Sequence, residues 1–225
     1  MAGWLAAFAA CAFMAAPPIV RSARNGADEP MKNQGSGDAE SKLTNLYADA
    51  IDELKGVFTR IDDSNVDAAA REIASARRIV MYACGRERLQ IMGFCMRLYH
   101  MGLDVAMVGD MTTPPLGKGD LFLAVCGPGF VSTTSALMGE AHKAGAQSLV
   151  ITAEPDGPTS KRATSILLLP AQTMANDQGA KRSILPMGSL YEGALFILFE
   201  VMVLKLMALK GITYEDMRAR HTNME

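Results

Sequence analysis

The chain has 225 residues, 49% of them hydrophobic and 20% charged, with a formal net charge of −2. That is enough chain to bury a sizeable core in one globular domain, and it carries no basic surplus for nucleic acid or an anionic membrane surface. The four cysteines, Cys11, Cys84, Cys95 and Cys126, form no CxxC pair and read as small buried hydrophobes rather than a disulfide framework or a metal site. A reducing compartment follows from that reading.

The N-terminal stretch "MAGWLAAFAACAFMAAPPIVRSARNG" is apolar from Trp4 to Ala16, too short a run to span a bilayer as a helix. Three readings stay open. A secretory signal would need a positive start that this segment lacks, apart from its amino terminus. An organelle transit peptide fits Arg21 and Arg24 with no acid before Asp28, and Met31 opens a shorter chain for which the segment is an upstream extension. Asn25 to Glu40 is a polar linker. Residues 1–40 are therefore expected to be an extension and linker, and 41–225 the folded domain, in the cytoplasm or, on the transit reading, an organelle.

From Ser41 the pattern turns helical, with Leu43, Leu46, Tyr47, Ala50, Ile51, Leu54 and Phe58 at helical spacing. A second helix is expected over Val66 to Ala76. "RRIVMYAC" (77–84) reads as the first strand, turning at Gly85 into a helix over 87–102 that stops at Gly102. "DVAMVG" (104–109) is a short strand, "TTPPLGKGD" a loop, and "LFLAV" (121–125) and "SLVIT" (148–152) two strands flanking a Ser135–Ala144 helix. "SILLLP" (165–170) is a fifth strand. The polar run from Ala171 to Met187 is long for a compact domain and is read as functional or mobile. An apolar helix over Leu190–Leu209, a short helix and the tail "RHTNME" finish the chain. Continuous apolar strands alternating with helices argue for a parallel sheet covered on both faces. Ligands of such sheets bind beyond the carboxyl ends of the strands, where strand order reverses, so function is expected at the turns around Gly85 and Gly127–Gly129.

Several motifs carry a resemblance. "GRER" (85–88) is followed by "FCMRLYHMG" (94–102), and then by "VGDMTTPPLGKGDLFLAV". Near the end stand "LPMGSLYEGALFILFEVMVLKLM" and "RHTNME". From about Leu43 onward, about four-fifths of its length, the chain resembles the sugar isomerase (SIS) domain family, and within it the 6-phospho-3-hexuloisomerase branch. The resemblance implies a single-domain three-layer α/β/α sandwich (SIS, flavodoxin-like) with a five-stranded parallel sheet, assembled as a homo-oligomer, a dimer of dimers. It implies a sugar-phosphate ligand, no metal, no cofactor, and neither nucleic acid nor membrane as partner. The branch interconverts a 3-keto hexulose 6-phosphate and fructose 6-phosphate by proton transfer through an enediol, work that one carboxylate over two carbons can do.

By itself, Glu192 is a first-turn carboxylate favoured by the helix dipole. Within the matching "PMGSLYEG" it is the candidate proton-transferring base. His221, by itself an exposed tail residue, stands in the matching "RHTNME", and the resemblance gives it an assisting role, in the site of a neighbouring subunit. The family's S-G-S-G-E-T turn is replaced by Cys126, Gly127, Pro128, Gly129, Phe130 and Val131, and the serine of the first turn by Glu87. Gly85, Gly127 and Gly129 remain for close backbone approach to an anion. Ser132, Thr133 and Thr134 are displaced phosphate ligands or helix caps. Arg86 faces the phosphate or pairs with Glu87. Arg97 and His100 are read as structural or subunit contacts, Lys181 and Arg182 as solvated loop cations, and Met202 and Met207 as core or interface. Two functions stay open: the isomerase, and a non-catalytic sugar-phosphate-binding regulatory or scaffold module.

Overall fold

A computed structural model describes residues 36–179 and 182–224. The apolar N-terminal segment, Met31 and Lys181 lie outside the described residues. Helix α1 (Ser36–Phe58) begins five residues before the Ser41 start expected from the sequence. It is followed by α2 (Asp63–Ser75), β1 (Ile79–Tyr82), α3 (Gly85–His100), β2 (Val105–Met107) and β3 (Leu121–Val125). Then come α4 (Ser132–Lys143), β4 (Gln147–Thr152), a 3-10 turn (Ser160–Arg162), β5 (Ser165–Leu168), α5 (Ser189–Lys210) and α6 (Tyr214–Ala219). Helix α2 starts ahead of the expected Val66 because the Asp62 side chain caps it, accepting from the Ser64 N–H at 3.0 Å.

The five strands form one sheet in the order β2-β1-β3-β4-β5, and every pairing is parallel. Strand β3 is buried throughout and divides its side chains by strand periodicity. Leu121, Leu123 and Val125 face a large cluster made with α2, α3 and α5, while Phe122 and Ala124 face a smaller one with Met138 and Ala141 of α4. Helices thus cover both faces, as the continuous apolar strands implied.

Helix α5 is wedged among α1, α2 and α3. Phe199 stacks on Phe94 of α3, with ring centroids 4.5 Å apart and planes at 7°. Met202 is fully buried and Met207 packs against the same core, as expected of both. The all-round apolar character of α5 is only partly used inside the chain: Phe196 and Leu204 remain exposed. Among the described residues no helix is long and apolar enough to cross a membrane.

Leu123 is completely buried at the centre of the sheet. Leu123→Ala is expected to destabilise the fold by about 2–5 kcal/mol, read as a lowered urea midpoint with an unchanged slope.

Candidate active site

The chain leaves β1 for β2 on one side and then crosses to β3 on the other, so strand order reverses between β1 and β3. The turns beyond these two strands, at Cys84–Glu87 and Cys126–Val131, flank a cavity of about 480 Å³. Cys84, Gly85, Arg86 and Glu87 line one side, Pro128 and Val131 another, and Tyr191 and Glu192 of α5 a third. The polar 171–187 segment closes the remaining side through Thr173, Met174, Ala175 and Met187. The sequence marked this run as functional or mobile without showing which of its residues face the cleft. Asn176 holds it in place, accepting from the Thr173 N–H at 2.8 Å and donating to Glu154 at 3.1 Å.

Glu192 sits in the first turn of α5, only 8% exposed. Helix α5 starts after Met187 and Gly188, both with positive φ, and this sharp entry turns its first residues toward the cleft. Arg86 Nη2 lies 2.9 Å from Glu192 Oε2 as an ion pair, and Arg86 Nη1 donates to the Ser189 hydroxyl at 3.0 Å. Arg86 therefore pairs with Glu192 and not with Glu87, because the α5 entry lies on its side of the cleft. Burial pushes the Glu192 carboxyl up from its ordinary value and Arg86 pulls it down, with burial the stronger. A carboxylate so held is fixed in position and more basic than one in water.

Glu87 points the other way. Its carboxylate accepts from the Gly127 N–H, at 3.1 Å to Oε1 and 3.3 Å to Oε2. Burial raises its pKa to about 7; the Gly127 bond opposes the rise and the Glu192 charge adds to it. Gly127 is glycine for a packing reason: a Cβ there would collide with the Glu87 carboxylate and come within 2.8 Å of the Tyr191 ring. Gly129 has φ +74° and meets the 154–157 loop, where a Cβ would lie 2.6 Å from Glu154 Cβ.

Helix α4 begins at Ser132, three residues before the expected start, which draws Ser132, Thr133 and Thr134 into its first turn. None of them caps it, since the N-cap is Val131 and no side chain bonds there. Thr134 is fully buried, while Ser132 and Thr133 are exposed beside the turn. Of the expected site residues, the cleft thus unites Gly85, Arg86 and Glu192 along its walls. Gly127 lies directly behind Glu87 and Tyr191, and Gly129 and the three hydroxyl residues do not line the cavity.

His221 lies elsewhere. Its ring is 5.2 Å from that of His100, in a second hollow with Arg97, Glu200, Val203 and Met207. Those α5 residues are roughly 12–22 Å along the helix from Glu192, given a rise of about 1.5 Å per residue. Within one chain, the two candidate catalytic residues are apart. Arg97 pairs with Glu200 at 3.4 Å and His100 is buried, in keeping with the structural roles expected of them.

Comparison with known proteins accords with this architecture. The SIS domain model matches residues 72–197, and the chain belongs to that family. It is 34% identical over 187 residues to the 3-hexulose-6-phosphate isomerase of Bacillus subtilis, covering 82% of this chain and all of that one. It is 33% identical over 183 residues to the Mycobacterium gastri enzyme of the same name, covering 81% and 92%. A solved Methanococcus jannaschii protein, for which a 3-hexulose-6-phosphate isomerase function is inferred, superposes with a TM-score of 0.67 at 24% identity, over 82% of this chain and 99% of that one. At that identity the superposition carries the fold alone.

The raised Glu87 pKa has a consequence for stability. Between 4.5 and about 7 the folded protein holds a proton on Glu87 that the unfolded chain has released. Stability therefore falls as pH rises through this window and levels off above it. Thermal melts across the window should show that decline in the wild type, and Glu87→Gln should flatten it.

Proposed function

We propose that the protein is a sugar-phosphate isomerase that interconverts a 3-keto hexulose 6-phosphate and fructose 6-phosphate, or a related sugar phosphate, by enediol proton transfer. The observation that carries this reading is the Glu192 carboxylate, desolvated and clamped by Arg86 in the cleft where strand order reverses. The relatives named as isomerases favour it over a non-catalytic binding module.

In the forward direction Glu192 takes the proton from C2 of the 3-keto sugar. The C2–H electron pair forms the C2=C3 bond of the enediol, and the C3 carbonyl oxygen takes a proton from water. Glu192 then returns its proton to C3 as the C2 hydroxyl gives its own back to water and becomes the carbonyl. One carboxylate suffices because the two carbons are adjacent. Arg86 holds the carboxylate in place and presents its exposed side to an anionic group at the mouth. Gly85, Gly127 and Gly129 shape the two turns, and Ser132 and Thr133 offer hydroxyls at the rim. No step calls for a metal or a cofactor. Cys84, Cys95 and Cys126 are free thiols, which accords with a cytoplasmic setting.

We infer further that the protein works as a homo-oligomer, by resemblance a dimer of dimers. Leu89, Met92, Met96 and Tyr99 leave an apolar stripe exposed along α3, and Ile51 of α1 and Phe196 of α5 are exposed as well. A second copy covering such a stripe removes it from water. His221 would then serve the site of a neighbouring copy.

Glu192→Gln is expected to lower turnover of the 3-keto hexulose 6-phosphate by about 10²–10⁴-fold, with sugar-phosphate affinity nearly unchanged. Turnover that survives the substitution excludes Glu192 as the base. Light scattering should give a mass that is a multiple of the 24.1 kDa chain. In that assembly His221→Ala should lower kcat more than it raises KM, and a monomeric mass with full activity would remove both claims.

A further inference from the structure

The 126–131 turn sits where a parallel α/β sheet offers backbone amides to an anion, yet four of its amides, those of Cys126, Gly127, Gly129 and Val131, are already engaged. The Cys126 N–H donates to Ile151 O at 2.9 Å, Gly129 to Cys126 O at 2.9 Å, and Val131 to the Thr159 hydroxyl at 3.3 Å. Pro128 has no N–H to give. Gly127, behind the cleft wall, donates to both oxygens of Glu87, which itself lines the cleft. The Tyr191 ring packs against Gly127 from the α5 side. Glu87 is thus an acid supplied by the chain itself, standing between the Gly127 amide and the cleft.

We propose that Glu87 sets the ligand class of this cleft: it closes the 126–131 turn to an anionic group, so that the turn faces the uncharged, hydroxyl-bearing part of a ketose. A phosphate brought to the turn would have to displace a carboxylate or lie against it, and like charges in a partly desolvated site repel. A sugar hydroxyl, by contrast, donates to a carboxylate. The phosphate of a substrate is left to the mouth, where the Arg86 side chain is 60% exposed. The ketose in this inference rests on the isomerase reading; the closure of the turn does not.

The test compares wild type, Glu87→Ser and Glu87→Gln by calorimetric titration with D-fructose 6-phosphate and with D-fructose. At about pH 8 a carboxyl raised to about 7 is ionised. Glu87→Ser, which frees the Gly127 amide, should raise the preference for the phosphorylated sugar at least about tenfold, or about 1.4 kcal/mol. Glu87→Gln, which removes the charge and keeps an acceptor on the amide, should raise it less. Fructose 6-phosphate binding that arises only in the variants counts as a rise. A preference that is unchanged or reduced in both variants overturns the proposal, as does a failure of either variant to bind fructose 6-phosphate. If Glu87→Ser does not fold, as judged by its melting transition, Glu87→Gln decides alone. Wild-type turnover of the 3-keto hexulose 6-phosphate separates the two readings. Turnover with an unchanged preference leaves the isomerase and removes the closed turn, whereas a raised preference without turnover does the reverse.

Discussion

Parallel pairing of β1 with β2 on one edge and β3 on the other forces the chain to diverge at the carboxyl ends of β1 and β3. Two successive connections leave in opposite directions there, so no helix can cover the crevice between them. Everything that gives the cleft its chemistry is hung on that gap. The β1 turn contributes Arg86 and Glu87, the β3 turn contributes Pro128 and Val131, and the first turn of α5 delivers Tyr191 and Glu192 between them.

The two carboxylates of the cleft are held by opposite means. Glu192 is matched to a cation, and Glu87 to a backbone amide of the neighbouring turn. Both are raised chiefly by burial, but their partners differ in kind. The guanidinium reaches in from the surface, whereas the amide belongs to the buried turn that follows β3. Glu192 thus meets a side chain that is exposed at the mouth, while Glu87 is tied to the backbone of the opposite wall.

The second hollow shows a similar division between what one chain completes and what it leaves open. His100 and His221 meet beside the Arg97–Glu200 pair at the far part of α5, away from Glu192. The exposed apolar stripe of α3 runs along the same helix that carries Arg86 at one end and His100 at the other.

Much of this was legible in the chain alone. Leu121–Val125 had to be a strand buried on both faces because it carries no polar residue to turn toward water, and the alternation of such runs with helical spacing gave the parallel sheet. Gly85 and the Cys126–Gly129 turn marked the strand ends where a site belongs, and "PMGSLYEG" singled out Glu192. What a linear pattern could not supply was pairing between residues distant in sequence. Arg86 had an acid next to it in Glu87, and only the approach of α5 matched it to Glu192, 106 positions on. Gly127 read as open backbone, and only packing revealed that a side chain 40 positions earlier fills it. Local sequence governs which segments curl or extend, because those preferences are set by neighbours along the chain. Which carboxylate meets the cation and which the amide is settled by the side chains that the sheet order brings within 3 Å or so of one another, and that order exists only in the folded protein.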